Sequence, residues 1–148
     1  KAHFNRIQNW VKEALQQGAK IIYGGEIISE EHTIYAPTLL TNSTPEMMVV
    51  KEEIFGPVSI IESFNDFEKA IKLVNESKYG LQTGVFTNNS INKSLAFASI
   101  DSGAVIINNI PGFRVDEMPY GGIKDSGFGR EGIKYAIEES TELKLYIE

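Results

Sequence analysis

The sequence has 148 residues, 42% hydrophobic and 23% charged, with a net charge of −6; this is the composition of an ordinary globular domain, long enough to bury a core. Its 14 Lys and Arg residues are spread singly, so the basic patch of a nucleic-acid binder is missing. No apolar run is long enough for a membrane span, and the absence of cysteine removes disulfides, thiolate metal sites and thiol nucleophiles from what these residues can supply.

The opening Lys1-Ala2-His3-Phe4 lacks the pattern of a signal peptide and carries no initiator Met. Both fit a cytoplasmic protein of which these residues are a piece. From Phe4 to Gln17 the apolar residues Phe4, Ile7, Val11, Ala14 and Leu15 recur at helical spacing, and Gly18 supplies a stop. Trp10, beside that apolar face, is expected in the core or packed against the remainder of a longer protein. Lys20 to Tyr23 reads as a short strand closed by Gly24-Gly25. Thr33 to Leu40 is extended, with Pro37 marking an edge or an irregularity. Asn42 to Pro45 is turn chemistry.

After the turn at Gly56-Pro57 a strand is expected over Val58 to Phe64. Asn65 or Asp66 then caps a helix to about Ser77, with Phe67, Ala70, Ile71 and Val74 inward. Thr83 to Thr87 is a strand. Ser90 caps a second helix to about Ser99, with Ile91, Leu95 and Ala98 inward. Gly103 to Ile107 is a strand, Asn108 to Arg130 a long loop, Glu131 to Glu138 a last helix and Leu143 to Ile147 a last strand. Strands and helices alternating at this spacing imply an α/β sheet with parallel pairs. Ligands in such sheets bind beyond the carboxyl ends of the strands, which directs attention to the loop after Ile107.

Two segments carry candidate chemistry. In Glu52-Glu53-Ile54-Phe55-Gly56-Pro57, acidic side chains and an aromatic ring flank a rigid turn. A carboxylate there can accept hydrogen bonds from ribose hydroxyls, and a ring can pack on a flat heterocycle; simple core packing is the alternative for Phe55. The second segment runs from Asn108 through Arg114, Tyr120 and Lys124 to Glu131, and long loops of this kind are commonly functional. It ends in Gly127-Phe128-Gly129-Arg130-Glu131-Gly132, formally the glycine pattern of a dinucleotide fold. No buried strand precedes it, and the acidic residue due about 20 positions later is missing. These glycines are therefore read as permitting tight turns before a helix. His3 and His32 have no metal-ligand spacing, and no Gly-x-Ser-x-Gly elbow is present.

Four stretches taken in order resemble the NAD(P)-dependent aldehyde dehydrogenase family: Glu52 to Pro57, Tyr79-Gly80-Leu81, Gly84-Val85-Phe86-Thr87 and Met118 to Gly132. The resemblance covers essentially the whole chain and implies the C-terminal portion of that family's catalytic domain: α/β, a mostly parallel sheet with flanking helices over residues 1–140, and an oligomerisation strand over 141–148. It implies that Glu53 binds the nicotinamide ribose of NAD or NADP and that Phe55 positions the nicotinamide. Tyr120 corresponds to an aromatic lining the substrate tunnel, and Asn109 to a structural Asn closing a strand near the pocket. Arg114 stands where many members carry another aromatic. A guanidinium there favours an anionic or hydroxylated aldehyde, such as lactaldehyde or glyceraldehyde-3-phosphate; a salt bridge to Asp116 or Glu117 is the alternative.

The family's nucleophilic Cys, activating Glu, oxyanion-hole Asn and dinucleotide-binding domain lie N-terminal to the matched region. No catalytic residue is therefore expected in this chain, and it is expected to be inactive alone. The resemblance further implies a homodimer or homotetramer joined through the alternating tail Thr141 to Glu148, as an apolar edge strand seeks a partner. A free-standing, non-catalytic interaction module is the competing reading.

Overall fold

The computed structural model describes residues 1–148, which divide into two compact units, Lys1–Phe64 and Asn65–Glu148. No helix is long and apolar enough to cross a membrane.

In the first unit, helix α1 (Ala2–Gln16) buries Phe4, Ile7, Val11 and Ala14 along one stripe, as the spacing predicts, while Leu15 at the end of that set is exposed. It ends as expected at Gly18, whose φ of +108° suits glycine. Gly18 N–H donates to the Leu15 carbonyl (3.1 Å) and Ala19 N–H to the Ala14 carbonyl (2.9 Å), so two of the last helical carbonyls are satisfied. The Asn42 amide donates to the Gly18 carbonyl at 2.8 Å and ties this turn to the sheet.

Strand β1 (Lys20–Tyr23) pairs antiparallel with β4 (Thr38–Thr41), and β4 pairs parallel with β5 (Val58–Ile60). Strands β2 (Ile27–Ser29) and β3 (Ile34–Tyr35) form a separate antiparallel pair. Pro37 falls between β3 and β4, so the extended run expected over Thr33–Leu40 is broken where the backbone lacks a donor. β4 alternates, with Thr38 and Leu40 inward. Leu40 is fully buried, and burial of such a side chain contributes about 1.5–3 kcal/mol.

Around Leu40 the core gathers the α1 stripe with Ala19, Tyr35, Met47 and Val49, and Trp10 packs against it half-buried. Phe4 and Tyr35 meet edge to face, centroids 6.5 Å apart. The apolar Met47–Val50 run forms a one-turn helix, α2 (Met48–Lys51). β5 is shorter than the expected Val58–Phe64, because its ladder partner β4 extends only to Thr41.

In the second unit, α3 (Phe67–Glu76) is capped by Asp66, whose carboxylate accepts from Lys69 N–H at 3.1 Å. The short β6 (Tyr79–Gly80) leads to β7 (Gln82–Val85), α4 (Ser90–Ser99) and β8 (Ala104–Ile107). β7 and β8 are parallel in the register Gln82↔Ala104 to Val85↔Ile107, a βαβ unit. The cap of α4 is Asn89 rather than Ser90: its side-chain oxygen accepts from Ile91 N–H (2.8 Å) and Asn92 N–H (3.3 Å). Of the residues expected inward, Leu95 packs against the core, whereas Ile91 is 74% exposed and Ala98 also faces out; Ala96 is fully buried instead. The core here comprises Ile71, Val85, Ala96 and Ile100.

Strand β9 (Ile123–Lys124) returns antiparallel to β6. The glycine-rich run after it leads into α5 (Ile133–Ser140) through a bridge between Tyr120 and Glu131. Residues 141–148, expected as a last strand, are exposed and pair with no strand of this chain.

Burial raises the Tyr35 hydroxyl above its ordinary pKa of 10.0, and the Thr38 hydroxyl opposes this in smaller measure. The folded chain thus holds the phenol proton more tightly than the unfolded chain. That contribution is complete below about pH 10 and is lost as pH rises through the folded value. Denaturant unfolding on both sides of that pH is expected to show a steeper alkaline fall in stability for the wild type than for Tyr35→Phe. Equal slopes would contradict it.

Candidate functional site

The loop Glu52–Pro57 leaves α2 in extended conformation, with Glu52 N–H still bonded to the Met48 carbonyl at 3.0 Å. Its carbonyls are then held from two sides. Arg6 Nη2, on α1, donates to the Ile54 carbonyl at 2.7 Å. Thr38 N–H, at the start of β4, donates to the Pro57 carbonyl at 2.7 Å. Between these anchors Gly56 packs directly on Ile7, so that a Cβ there would run into the Ile7 Cδ1.

Phe55 has φ +47°, the left-handed region that costs an L-residue about 1–2 kcal/mol. Its ring is 75% exposed, so core packing is not what holds it there. It borders a cleft of about 400 Å³ with His3, Phe4, Ile7, Tyr35 and Pro57. Glu53, two residues earlier, is also exposed. An aromatic face and a carboxylate are thereby offered to solvent from one anchored turn. Backbone strain of this kind persists where the surroundings over-determine it, and it clusters at ligand sites.

Arg6 was not visible as a site residue in the sequence. Its guanidinium lies 4.9 Å from the Trp10 ring centroid, and the one available signal is that Arg-x-x-x-Trp spacing on α1. His3, isolated in the sequence, borders the cleft.

In the second unit, the loop after β8 turns at Asn108, which has φ +57° and whose side-chain oxygen accepts from Thr87 N–H at 2.8 Å. Asn109 instead bonds its own neighbour, accepting from Ile110 N–H at 2.8 Å, so the side chain that ties the strand end is Asn108. Gly84 makes room for this crossing, since a Cβ there would stand 2.8 Å from the Asn109 carbonyl oxygen. Gln82 Nε2 donates to the Phe113 carbonyl at 2.9 Å and fixes the loop beside Arg114.

Arg114 and Tyr120 come together, the guanidinium 4.5 Å from the ring centroid. The ion-pair partner of Arg114 is Glu131 at 2.9 Å, neither Asp116 nor Glu117. The reason is the Tyr120–Glu131 bridge, in which Glu131 N–H bonds the Tyr120 carbonyl (2.6 Å) and Tyr120 N–H bonds the Glu131 carbonyl (3.1 Å). Both side chains of the ion pair are about half exposed or more. Such pairs contribute about 0–1 kcal/mol, so an anionic ligand can displace Glu131 at small cost. Tyr120 and Glu131 also border a second cleft, of about 380 Å³, with Leu81, Phe128 and Arg130.

Residues 1–146 match the aldehyde dehydrogenase family. The 3-sulfolactaldehyde dehydrogenase of Priestia aryabhattai is 45% identical over 142 residues, which are 96% of this chain and 29% of that protein. The lactaldehyde dehydrogenase of Methanococcus aeolicus is 47% identical over 143 residues, 96% of this chain and 30% of that protein. Among solved structures, aldehyde dehydrogenase 21 from Physcomitrella patens in complex with the reaction product succinate superposes with a TM-score of 0.86 at 41% identity, over 93% of this chain and 28% of that one. The NAD+ complex of an aldehyde dehydrogenase from Bacillus cereus gives a TM-score of 0.88 at 37% identity, over 97% and 29%. The chain thus spans under a third of the length of the relatives it matches.

The Phe55 backbone and ring make opposite demands on stability. Phe55→Gly is expected to leave the free energy of unfolding unchanged or raise it by up to about 1 kcal/mol, since glycine relieves the left-handed strain and the ring buries little. Denaturant unfolding measures this. A loss of about 2 kcal/mol or more, the value of burying a Phe side chain, would show that the ring is a packing element.

Proposed function

Because the chain belongs to the aldehyde dehydrogenase family, we propose that it forms the C-terminal part of the catalytic domain of an enzyme that oxidises an aldehyde to a carboxylic acid with NAD or NADP. The observation that carries this reading is the anchored turn presenting an exposed Glu53 beside an exposed, left-handed Phe55. These residues fit the nicotinamide end of a dinucleotide. Glu53 has carboxylate oxygens free to accept from the ribose hydroxyls, and Phe55 has an open face on which a flat ring can rest and shed water. When bound, the nicotinamide supplies the acceptor for the hydride that leaves the substrate.

On the substrate side, Arg114 and Tyr120 are the binding residues. Relatives act on lactaldehyde and 3-sulfolactaldehyde, and one solved relative holds succinate. Small aldehydes bearing a hydroxyl or an acidic group are therefore the proposed substrates. Arg114 would leave Glu131 and take the substrate anion, in a fork geometry that suits carboxylate or sulfonate. Tyr120, stacked under the guanidinium, holds Arg114 in place during the exchange.

These 148 residues contain no cysteine, so the thiol of the family's chemistry is not among them. On this reading the isolated chain turns over no aldehyde. The complete protein is read as a cytoplasmic homodimer or homotetramer. Support comes from residues 141–148, in which Leu143, Leu145 and Ile147 alternate with polar residues and lie open for a second subunit's sheet edge.

Two variants of the complete enzyme test the assignments. Glu53→Gln is expected to weaken the dinucleotide about tenfold or more, since a hydrogen bond to a charged group contributes about 1.5–3 kcal/mol; calorimetric titration reads this directly. Unchanged affinity would remove Glu53 from the cofactor site. Arg114→Met is expected to raise KM about tenfold or more for an anionic aldehyde and to spare a neutral one of equal size. Equal losses for both would deny Arg114 its role. A complete protein that binds neither NAD nor NADP yet self-associates through its tail would return the non-catalytic module.

A further inference from the structure

Arg6 on α1 has a polar side chain that the assignments above leave without a task. It is half-buried, its Nε is buried with no hydrogen-bond partner, and its guanidinium is stacked at 4.9 Å on Trp10. A helix that needed only packing here would be served better by Leu or Met, which would cover Trp10 without burying an unpaired nitrogen. What Arg6 alone supplies is the 2.7 Å hydrogen bond from Nη2 to the Ile54 carbonyl, across 48 residues of sequence.

That carbonyl belongs to the peptide unit joining Ile54 to Phe55. Fixing its direction fixes the plane from which the φ of Phe55, +47°, is measured. Released, the plane could rotate and let Phe55 fall into the ordinary extended or helical regions, which are lower in energy for an L-residue. The ring would then leave its place on the cleft. On the far side of Phe55 the turn is blocked, because Gly56 is seated on Ile7, a residue of the same helix. α1 therefore grips the turn on both sides of Phe55, and the Arg6 contact is the one that can be removed without changing the backbone.

We propose that Arg6 is a positioning residue for the dinucleotide: through the Ile54 carbonyl it locks Phe55 in the left-handed conformation and so presents the ring, together with Glu53, to the nicotinamide half of the cofactor. This rests on the dehydrogenase reading above. Its stacking on Trp10 keeps the guanidinium from swinging into solvent and makes the grip stiff.

The test uses the complete enzyme with Arg6→Met and Arg6→Lys. Three quantities are measured: the Kd for NAD or NADP by calorimetric titration without aldehyde, the KM values for dinucleotide and aldehyde separately, and the melting temperature of the free protein. Arg6→Met is expected to weaken the dinucleotide about tenfold, because the relaxed turn must return Phe55 to its left-handed conformation before the cofactor can seat, with the aldehyde KM and the melting temperature near wild type. Arg6→Lys, which keeps a cationic donor able to reach the same carbonyl, is expected to recover most of that loss. Wild-type dinucleotide affinity in Arg6→Met overturns the proposal. So does failure of Arg6→Lys to recover, and so does an Arg6→Met protein that melts early or does not fold, which would mark Arg6 as a residue of the fold. A wild-type enzyme that binds no dinucleotide would instead sink the dehydrogenase reading on which the proposal rests.

Discussion

Two backbone carbonyls, those of Ile54 and Pro57, set the geometry on which the functional reading depends. One is taken by a guanidinium on α1 and the other by an amide at the start of β4. The first lies outside any helix or ladder, and the second is the opening rung of the parallel β4–β5 ladder, where Thr38 pairs with Val58. Together they remove the freedom of a turn whose sequence, with glycine and proline adjacent, would otherwise allow several conformations. The remainder of the first unit supports these two donors. The buried stripe of α1 fixes Arg6 and Ile7, and Leu40 at the centre of the sheet fixes β4 and with it Thr38.

The same turn shows where local preference is overridden. A chain selected for stability alone would place glycine or asparagine at position 55, where φ is positive, and would bury or delete an aromatic ring that stands 75% exposed. It would also avoid a guanidinium nitrogen with no partner at position 6. These local conflicts meet at one turn, through the Arg6 bond to the Ile54 carbonyl, and conflicts between local rules and the fold are expected at functional sites. In the second unit the corresponding device is electrostatic. Arg114 rests between a ring that holds it and a carboxylate that can release it.

What could be read from the sequence was what depends on near neighbours. The stripe on α1, its glycine stop, the Asp66 cap and the parallel pairing around α4 follow from spacing and local chemistry. Glu53, Phe55, Arg114 and Tyr120 stand out as candidates because their residue types follow a recognisable order. The misses have physical causes. Asn89 and Ser90 are both good caps, and only the backbone shows which oxygen reaches the free amides. On α4 the small Ala96 is fully buried beside Leu95 and Ile100 while the larger Ile91 is left outside, a choice made by the neighbouring elements and not by spacing within the helix. Glu131 could not be matched with Arg114 because a two-residue bridge folds the loop back. Arg6 was invisible because its partner is a carbonyl, which every residue has, 48 positions away.

The most direct measurement is a crystal structure of the complete protein with NAD or NADP bound. Glu53 is expected with its carboxylate within hydrogen-bonding distance of the nicotinamide ribose hydroxyls. Phe55 is expected to keep its left-handed backbone with its ring against the nicotinamide. A bound cofactor whose ribose hydroxyls are held by other groups, with Glu53 and Phe55 still facing bulk solvent, would contradict the assignment of this turn as the cofactor site.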